Sequence, residues 1–260
     1  NADGSFGCDL RYQGYEICDG KYNLKGLPAV YAAEEEAQTL IIYMKDQVTG
    51  LQVELLYGVL PEYDVITRSA KVINTEEDKI RLTKAQAACI DFLHGEFDVI
   101  SFYGRHAMER NMQRTSVGHG AFVIGSRRGT SSHQYNPMMI LAEKETTEDA
   151  GTCYGMSFVY SGGFKAEVEK DQFGQTRMQM GLQEEQFSYP LEKGQEFVIP
   201  EVILTCSNQG LGKLSQNLQR CIRKNLCRGK YKEKVRPVLI NSWEACYFDF
   251  TGEDIYHLAE

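Results

Sequence analysis

The stretch SGGFKAEVEKDQFGQTRMQMGL, residues 161–182, decides the fold class of this chain. Within it Phe164, Ala166 and Val168 alternate with lysine and glutamate, the pattern of a strand with one face on a core and the other in water. A turn containing Gly174 leads into a second short run, RMQMGL. The stretch therefore predicts neighbouring antiparallel strands that cover one side of a hydrophobic core.

Similar segments extend outward from this stretch, from Gly26 to about Cys206. They are short, rich in β-branched and aromatic residues, and separated by Gly, Pro, Asn or Asp, which gives about eleven candidate strands. An open twisted sheet rarely exceeds about ten strands. We therefore predict a mainly β chain that folds as a large antiparallel two-layer sandwich.

The apolar spacing changes near Gly210. Leucines and other apolar residues then recur every three or four positions, which predicts an amphipathic helix over 211–227 that ends before Gly229. Further on, the apolar run VLI (238–240) is typical of a parallel strand buried on both faces, and a terminal helix follows it. We expect this unit to begin a parallel sheet or barrel that continues after Glu260, and we interpret the chain, whose first residue is Asn1, as a fragment.

Composition limits the possible classes of protein. The chain has 260 residues, 42% of them hydrophobic, and a formal net charge of −8. A chain of this size and composition can bury a core, and its acidic balance argues against nucleic acid or an anionic membrane as a partner. It contains neither an apolar run of about 18 residues nor a signal-peptide pattern. We predict a soluble protein of the cytoplasm.

Most familiar chemical motifs are absent from the sequence. The eight cysteines form no CxxC pair, the five histidines form no HxH or HExxH pair, and no GxSxG is present. We therefore expect no metal and no cofactor, and reduced cysteines among which Cys89 and Cys221 are small buried hydrophobes. The segment 201–216 resembles a phosphate-binding loop, but Ser207 and Leu214 stand where that motif needs Gly and Ser or Thr. A glycine-rich helix entry is the better interpretation.

The segment IGSRRGTSSHQYNP (124–137) combines two arginines with small hydroxyl residues, a histidine and a turn. Its arginines could bind an anion or the hydroxyl groups of a sugar. The alternative, which we favour, is that Arg127 and Arg128 pair with carboxylates at a contact between sheets or subunits.

Trp243, the single tryptophan of the chain, follows the VLI run. In parallel β/α folds ligands bind beyond the carboxyl ends of the strands, where an indole can offer a flat apolar wall to a sugar ring. A tryptophan packed in the core is an equally good interpretation from position alone.

The sequence resembles the α-galactosidases of glycoside hydrolase family 36 along nearly its whole length. The matching stretches are GLPAVY (26–31), VITRSAKVIN (65–74), IGSRRGTSSHQYNP (124–137), YGMSFVYSGGF (154–164), AEVEKDQFGQTRMQMGL (166–182) and RPVLINSWEACYFDF (236–250). The resemblance implies a β-supersandwich over 1–206, a helical linker over 207–235, and over 236–260 the truncated start of a catalytic (β/α)8 barrel.

The resemblance also implies a reaction. It is the retaining hydrolysis of terminal α-galactosides of oligosaccharides such as melibiose or raffinose, which needs two carboxylates about 5 to 5.5 Å apart. In the family both are aspartates of later barrel strands, so we expect them beyond Glu260 and assign no catalytic residue in this chain, Glu244 and Asp249 included. Trp243 matches a sugar-contacting tryptophan of the family and is our one predicted substrate-binding residue.

The family further suggests a homo-oligomer, a dimer or a tetramer. It uses an Asp and an Arg from a neighbouring subunit's sandwich, on a loop that we expect upstream of Asn1, so these roles are not transferred to Asp9 or Arg11. Three positions depart from the family pattern: Gly163, Ser242 and Cys246 stand where Asn, Asn and Thr are common.

A different class of function stays open beside this one. The chain could be a non-catalytic β-sandwich module that binds carbohydrate or serves only oligomerisation.

Overall fold

The computed structural model describes Asn1 and residues 4–260. Strands make up most of its regular structure. The strands are β1 (Leu10–Asp19), β2 (Gln38–Asp46), β3 (Gln52–Leu60), β4 (Val65–Ile73), β5 (Ile80–Leu82), β6 (Gln86–Phe92), β7 (Phe97–Arg105), β8 (Met108–Ser116), β9 (Gly120–Gly125), β10 (Tyr135–Glu143), β11 (Cys153–Phe158), β12 (Phe164–Lys170), β13 (Thr176–Leu182), β14 (Tyr189–Leu191) and β15 (Glu196–Ser207). The helices are α1 (Gly210–Cys221), α2 (Trp243–Cys246) and α3 (Gly252–Ala259), and a π-helical turn (Ile222–Leu226) continues α1.

Nine of the strands form one large sheet in the order β1-β2-β3-β4-β15-β11-β10-β7-β8. Every neighbouring pair in it is antiparallel. A smaller sheet has the order β12-β13-β6, with β9 beside β12, and β5 pairs with β14. The predicted mainly β fold with large antiparallel sheets is confirmed.

The main core lies between the large sheet and the smaller one. Phe164, Ala166 and Val168 of β12 are fully buried in it, as the alternation in the sequence predicted. Met139 and Leu141 of β10 point into the same core from the large sheet. Burying a side chain of this size stabilises the fold by roughly 1.5–3 kcal/mol before entropy is counted.

Helix α1 covers part of the opposite face of the large sheet. Leu214, Leu218 and Cys221 pack there with Ile140 and other residues of the central strands in a second core cluster. The central strands are therefore buried on both faces. The amphipathic helix predicted over 211–227 forms at 210–221 and continues as the π-helical turn to 226.

A buried ion pair ties an N-terminal segment to the centre of the large sheet. Lys21 Nζ lies 2.6 Å from Glu201 Oε1, and the two side chains are 1% and 0% exposed. The second carboxylate oxygen accepts a hydrogen bond of 2.7 Å from the backbone N–H of Val30. These contacts satisfy the Glu201 carboxylate, which sits on β15.

The cysteines agree with the sequence-based prediction except at one position. All eight lie among the described residues and are free, and Cys221 is buried. Cys89 is exposed, so the prediction that it is a buried hydrophobe is wrong. In β6 the preceding Ala87 and Ala88 are buried, and the side chain of Cys89 faces away from the core.

The chain forms two compact units, residues 1–226 and residues 227–260. In the second unit the segment 235–242 contains no strand, and Val238 and Leu239 are 96% and 86% exposed. The predicted buried strand over VLI is therefore wrong for this chain. A parallel strand needs hydrogen-bonded neighbours, and the described residues of this unit include no other strand. The terminal helix that was predicted does form as α3, with Thr251 and Asp254 as its capping box.

Candidate functional site

Trp243, the predicted substrate-binding residue, begins the short helix α2 and is 46% exposed. Its backbone N–H donates a hydrogen bond of 2.9 Å to Asn241 Oδ1. Its indole meets the rings of Tyr247 and Phe248 edge-on, with centroids 5.4 and 5.0 Å away. An aromatic cluster with this much exposed ring surface is available for stacking on a ligand, and Trp243 is not a buried core residue in this structure.

The glycine-rich entry to α1 is closed to phosphate, as the sequence indicated. The backbone N–H groups of Gly210, Leu211 and Gly212 donate hydrogen bonds of 2.9–3.0 Å to the carbonyl oxygens of Gly151, Thr147 and Glu148. These groups are the donors that a phosphate at a helix N-terminus would use. Because a loop of the chain already occupies them, this helix end has a structural role.

The two arginines of the segment 124–137 line a groove of about 760 Å³, which we call the loop groove. Its walls come from the end of β9, the loop between β9 and β10, the start of β12 and the residues after β13. The charged and aromatic side chains that line the groove are Arg127, Arg128, Tyr135, Lys165, Glu184 and Glu185. None of these except the arginines was singled out from the sequence.

Ion pairs set the charges of the loop groove. Arg127 pairs with Glu185, which confirms the carboxylate pairing that we favoured for this arginine. Lys165 Nζ lies 2.6 Å from carboxylate oxygens of both Glu184 and Glu167. Within the part of the chain that the structure describes, the guanidinium of Arg128 has no ion-pair partner, so its pairing with a carboxylate at a subunit contact stays a prediction.

These contacts favour the ionised forms of Lys165 and Glu184. Burial alone would lower the pKa of Lys165, but the hydrogen bonds to Glu167 and Glu184 outweigh it and raise that pKa. The hydrogen bond from Lys165 lowers the pKa of Glu184. A glycosidase acid needs a raised pKa to hold its proton at neutral pH, so Glu184 is suited to binding and not to acid catalysis.

A hydrogen-bonded clasp holds the loop at the edge of the groove. The carbonyl oxygen of Ser161 accepts hydrogen bonds from the Ser131 N–H at 2.8 Å, the Thr130 hydroxyl at 3.1 Å and the Ser131 hydroxyl at 3.3 Å. Gly163, one of the departures noted above, lies against this loop, and a Cβ there would come within 3.1 Å of the Ser126 carbonyl oxygen.

Two kinds of site are absent from the described residues. Over Asn1 and 4–260 no group of three or more His, Cys, Asp or Glu is arranged to hold a metal ion. Over the same residues each helix is too short or too polar to cross a bilayer.

Comparison with known proteins gives two family matches in sequence order. Residues 1–192 match the glycosyl hydrolase family 36 N-terminal domain, and residues 196–260 match the melibiase family. The bifunctional alpha-galactosidase/sucrose kinase AgaSK of Mediterraneibacter gnavus is 61% identical over 100% of this chain and 28% of its own length. Alpha-galactosidase Mel36A of Lactobacillus acidophilus is 44% identical over 98% of this chain and 35% of its own length. The chain thus spans about a third of the length of these relatives.

Solved structures agree with the sequence comparisons. The galactosidase domain of AgaSK superposes on this chain with a TM-score of 0.94 at 61% identity. The match covers 100% of this chain and 36% of the AgaSK chain. The alpha-galactosidase AgaA of Geobacillus stearothermophilus has been solved in complex with stachyose, and it superposes with a TM-score of 0.94 at 42% identity. The match covers 99% of this chain and 36% of the AgaA chain. A further structure of AgaA contains raffinose.

Proposed function

The chain belongs to glycosyl hydrolase family 36, and on that premise we propose that it is the N-terminal part of a retaining α-galactosidase. The observation that carries the proposal is the match of 100% and 98% of the chain to α-galactosidases at 61% and 44% identity. The substrates we propose are terminal α-galactosides of oligosaccharides, of the type bound by AgaA in its stachyose and raffinose complexes.

We infer a division of labour within this enzyme. Residues 1–206 supply the sandwich, 207–235 the linker, and 236–260 the beginning of a (β/α)8 barrel whose later strands carry the two catalytic carboxylates. A retaining glycosidase needs those groups about 5 to 5.5 Å apart on either side of the glycosidic bond. In this proposal Trp243 forms part of the sugar pocket, and Ser242 and Cys246 alter its immediate surroundings.

The setting we propose for the enzyme is the cytoplasm, as a homo-oligomer. Exposed apolar side chains on the edge strand β1 support self-association, since Tyr15 and Ile17 are 63% and 61% exposed. Eight free cysteines are compatible with a reducing compartment.

An aryl α-galactoside assay tests the function. The 260-residue chain should give no turnover, and the same chain continued through the proposed barrel should hydrolyse the substrate with retention of anomeric configuration. Turnover by the chain alone that survives repurification would place the carboxylates within it and contradict the proposal. An extended protein that binds galactosides without hydrolysing them would favour the non-catalytic module.

A further inference from the structure

The loop groove combines features that suit a neutral sugar chain better than an anion. Four separate parts of the sandwich build it, and its volume of about 760 Å³ lies in the range of small-molecule sites. The clasp on the Ser161 carbonyl fixes the loop that carries Arg127 and Arg128. The side chains therefore face the groove from a supported frame, which lowers the entropy cost of binding.

Hydrogen-bond donors and acceptors stand next to each other along the groove. Arg127 lies against Glu185, and Lys165 lies 2.6 Å from Glu184. A sugar hydroxyl both donates and accepts, so vicinal hydroxyl groups can accept from the cation of each pair and donate to its carboxylate.

An oxyanion fits this lining less well. Glu184 and Glu185 both line the groove, and the carboxylates of these residues would repel a phosphate or a carboxylate placed near the cations. A neutral polyhydroxylated ligand has no such conflict.

Two groups at the groove are free to contact a ligand. Tyr135 is 40% exposed at the start of β10, and its ring can stack on the apolar C–H face of a sugar. Arg128 has no ion-pair partner among the described residues, so its donors are available to ligand hydroxyls without breaking an existing pair.

We propose that the loop groove is a non-catalytic binding site for neutral oligosaccharides, with Arg128 and Tyr135 as its principal contacts. The site is built entirely from residues of the sandwich, within 123–185. The choice of an α-galactoside oligosaccharide as probe rests on the proposed function, whereas the site itself rests on the geometry of residues 123–185.

Saturation-transfer NMR and a chemical-shift titration of the 260-residue chain with stachyose test this site. We expect saturable binding whose shifts map to the loop groove, and about tenfold weaker binding in Arg128→Ala and in Tyr135→Ala. Tyr135→Phe keeps the ring and should bind within about twofold of the parent chain. Tyr12→Ala is the matched control, because this tyrosine is 60% exposed on β1, away from the groove.

Circular dichroism and the melting temperature establish that each variant is folded. Arg128 is exposed and unpaired in the described structure, so Arg128→Ala should fold like the parent chain. The binding of this variant therefore tests the site even if a Tyr135 variant unfolds.

The proposed site would be contradicted if stachyose did not bind at tens of millimolar, or if both groove variants bound it as the parent chain does. Preferential binding of inorganic phosphate in the groove would also contradict it. The outcome is distinct from that of the hydrolysis assay. An extended protein that hydrolyses α-galactosides while the groove binds nothing would remove this inference and leave the proposed function intact.

Discussion

Asp98 illustrates how single residues hold the sandwich together. Its carboxylate accepts hydrogen bonds from Arg114 Nε at 2.7 Å, Lys144 Nζ at 2.6 Å and the Ser116 hydroxyl at 3.0 Å. Arg114 also donates to the Thr146 carbonyl oxygen at 2.6 Å. The network fixes the loop that follows β10. Burial alone would raise the pKa of Asp98, but these hydrogen bonds outweigh it and hold the pKa below its ordinary value.

Asp98→Asn should lower the free energy of unfolding by about 1.5–3 kcal/mol at neutral pH, because it removes charged hydrogen bonds at a mostly buried site. A carboxyl group with a depressed pKa stabilises the folded state above its unfolded pKa of about 3.9, and that stability is lost as pH falls through the folded value. The difference between parent and variant should therefore be constant above about pH 5 and shrink below about pH 4. Urea unfolding at several pH values measures it.

Asp91→Asn is the control for this experiment. Asp91 pairs with Arg177 at 2.7 Å, but both side chains are about half exposed, at 47% and 53%. Such a pair contributes under about 1 kcal/mol. Equal losses in the two variants would contradict the role given to Asp98.

Trp243 is the one residue of this chain that we predict to bind substrate. In the protein extended through the proposed barrel, Trp243→Ala should lower kcat/KM roughly ten- to hundredfold, as expected when an aromatic stacking partner is lost. The melting temperature should change little, because an indole that lines the proposed sugar pocket is not packed in the core. Trp243→Phe should retain part of the activity. Tyr231→Ala, a 40% exposed ring in the same unit, should change neither quantity. A large fall in melting temperature with near-normal turnover would mean that the indole serves packing.

At the scale of elements, the entry to α1 depends on close backbone contact. Gly210 has a φ of +78°, and a Cβ there would come within 2.5 Å of the Glu148 carbonyl oxygen. The loop 147–151 and the first turn of α1 can share their hydrogen bonds only if this position carries no side chain.

Gly210→Ala should therefore lower the free energy of unfolding by roughly 2–4 kcal/mol, from left-handed strain together with the displaced loop. Gly194→Ala isolates the strain, because its φ of +74° is similar and nothing lies within 4 Å of a Cβ there. Gly194→Ala should lower the free energy of unfolding by about 1–2 kcal/mol. Chemical denaturation compares the two variants, and equal effects would show that the loop contact is unimportant.

The elements also show which features a sequence can predict. The alternation in β12 and the spacing of apolar residues in α1 reflect burial against neighbours within the sandwich, so both were predictable. The VLI run forms no strand in the described chain, because an apolar run forms a buried strand only where partner strands exist, and the prediction placed those partners after Glu260. The loop groove was missed since its lining residues, from Val123 to Glu185, meet only through sheet pairing. The two arginines were its one visible sign, and the sequence did not show that only Arg127 has an ion-pair partner among the described residues.

Across the whole molecule, the large sheet ends at the edge strand β1, which carries exposed apolar side chains between charged ones. There Tyr15 pairs with Ile42 and Ile17 with Leu40 across the ladder, and the two β1 side chains are largely exposed. Exposed apolar side chains on an edge strand favour association between chains, and added charge opposes it.

Ile17→Lys should therefore shift the chain toward monomer, as measured by sedimentation velocity over a range of concentrations. Val48→Lys introduces the same charge at a 92% exposed position in the turn between β2 and β3, and it should leave the distribution unchanged. An identical distribution for both variants and the parent would argue against β1 as the contact.

The position of β15 in the large sheet has a consequence for synthesis. This strand lies between β4 and β11, although roughly 120 residues separate the end of β4 from its start. At about 5 to 20 residues per second, a ribosome needs on the order of 6 to 24 s to cover that distance. During this interval one edge of β4 is unpaired, β11 gains an unpaired edge once it has been translated, and Glu201 is not yet present to pair with Lys21. Strand β15, the last strand of the large sheet to be translated, therefore completes the middle of that sheet. Until it is made, chaperones that bind the exposed strand edges would protect the nascent chain from aggregation.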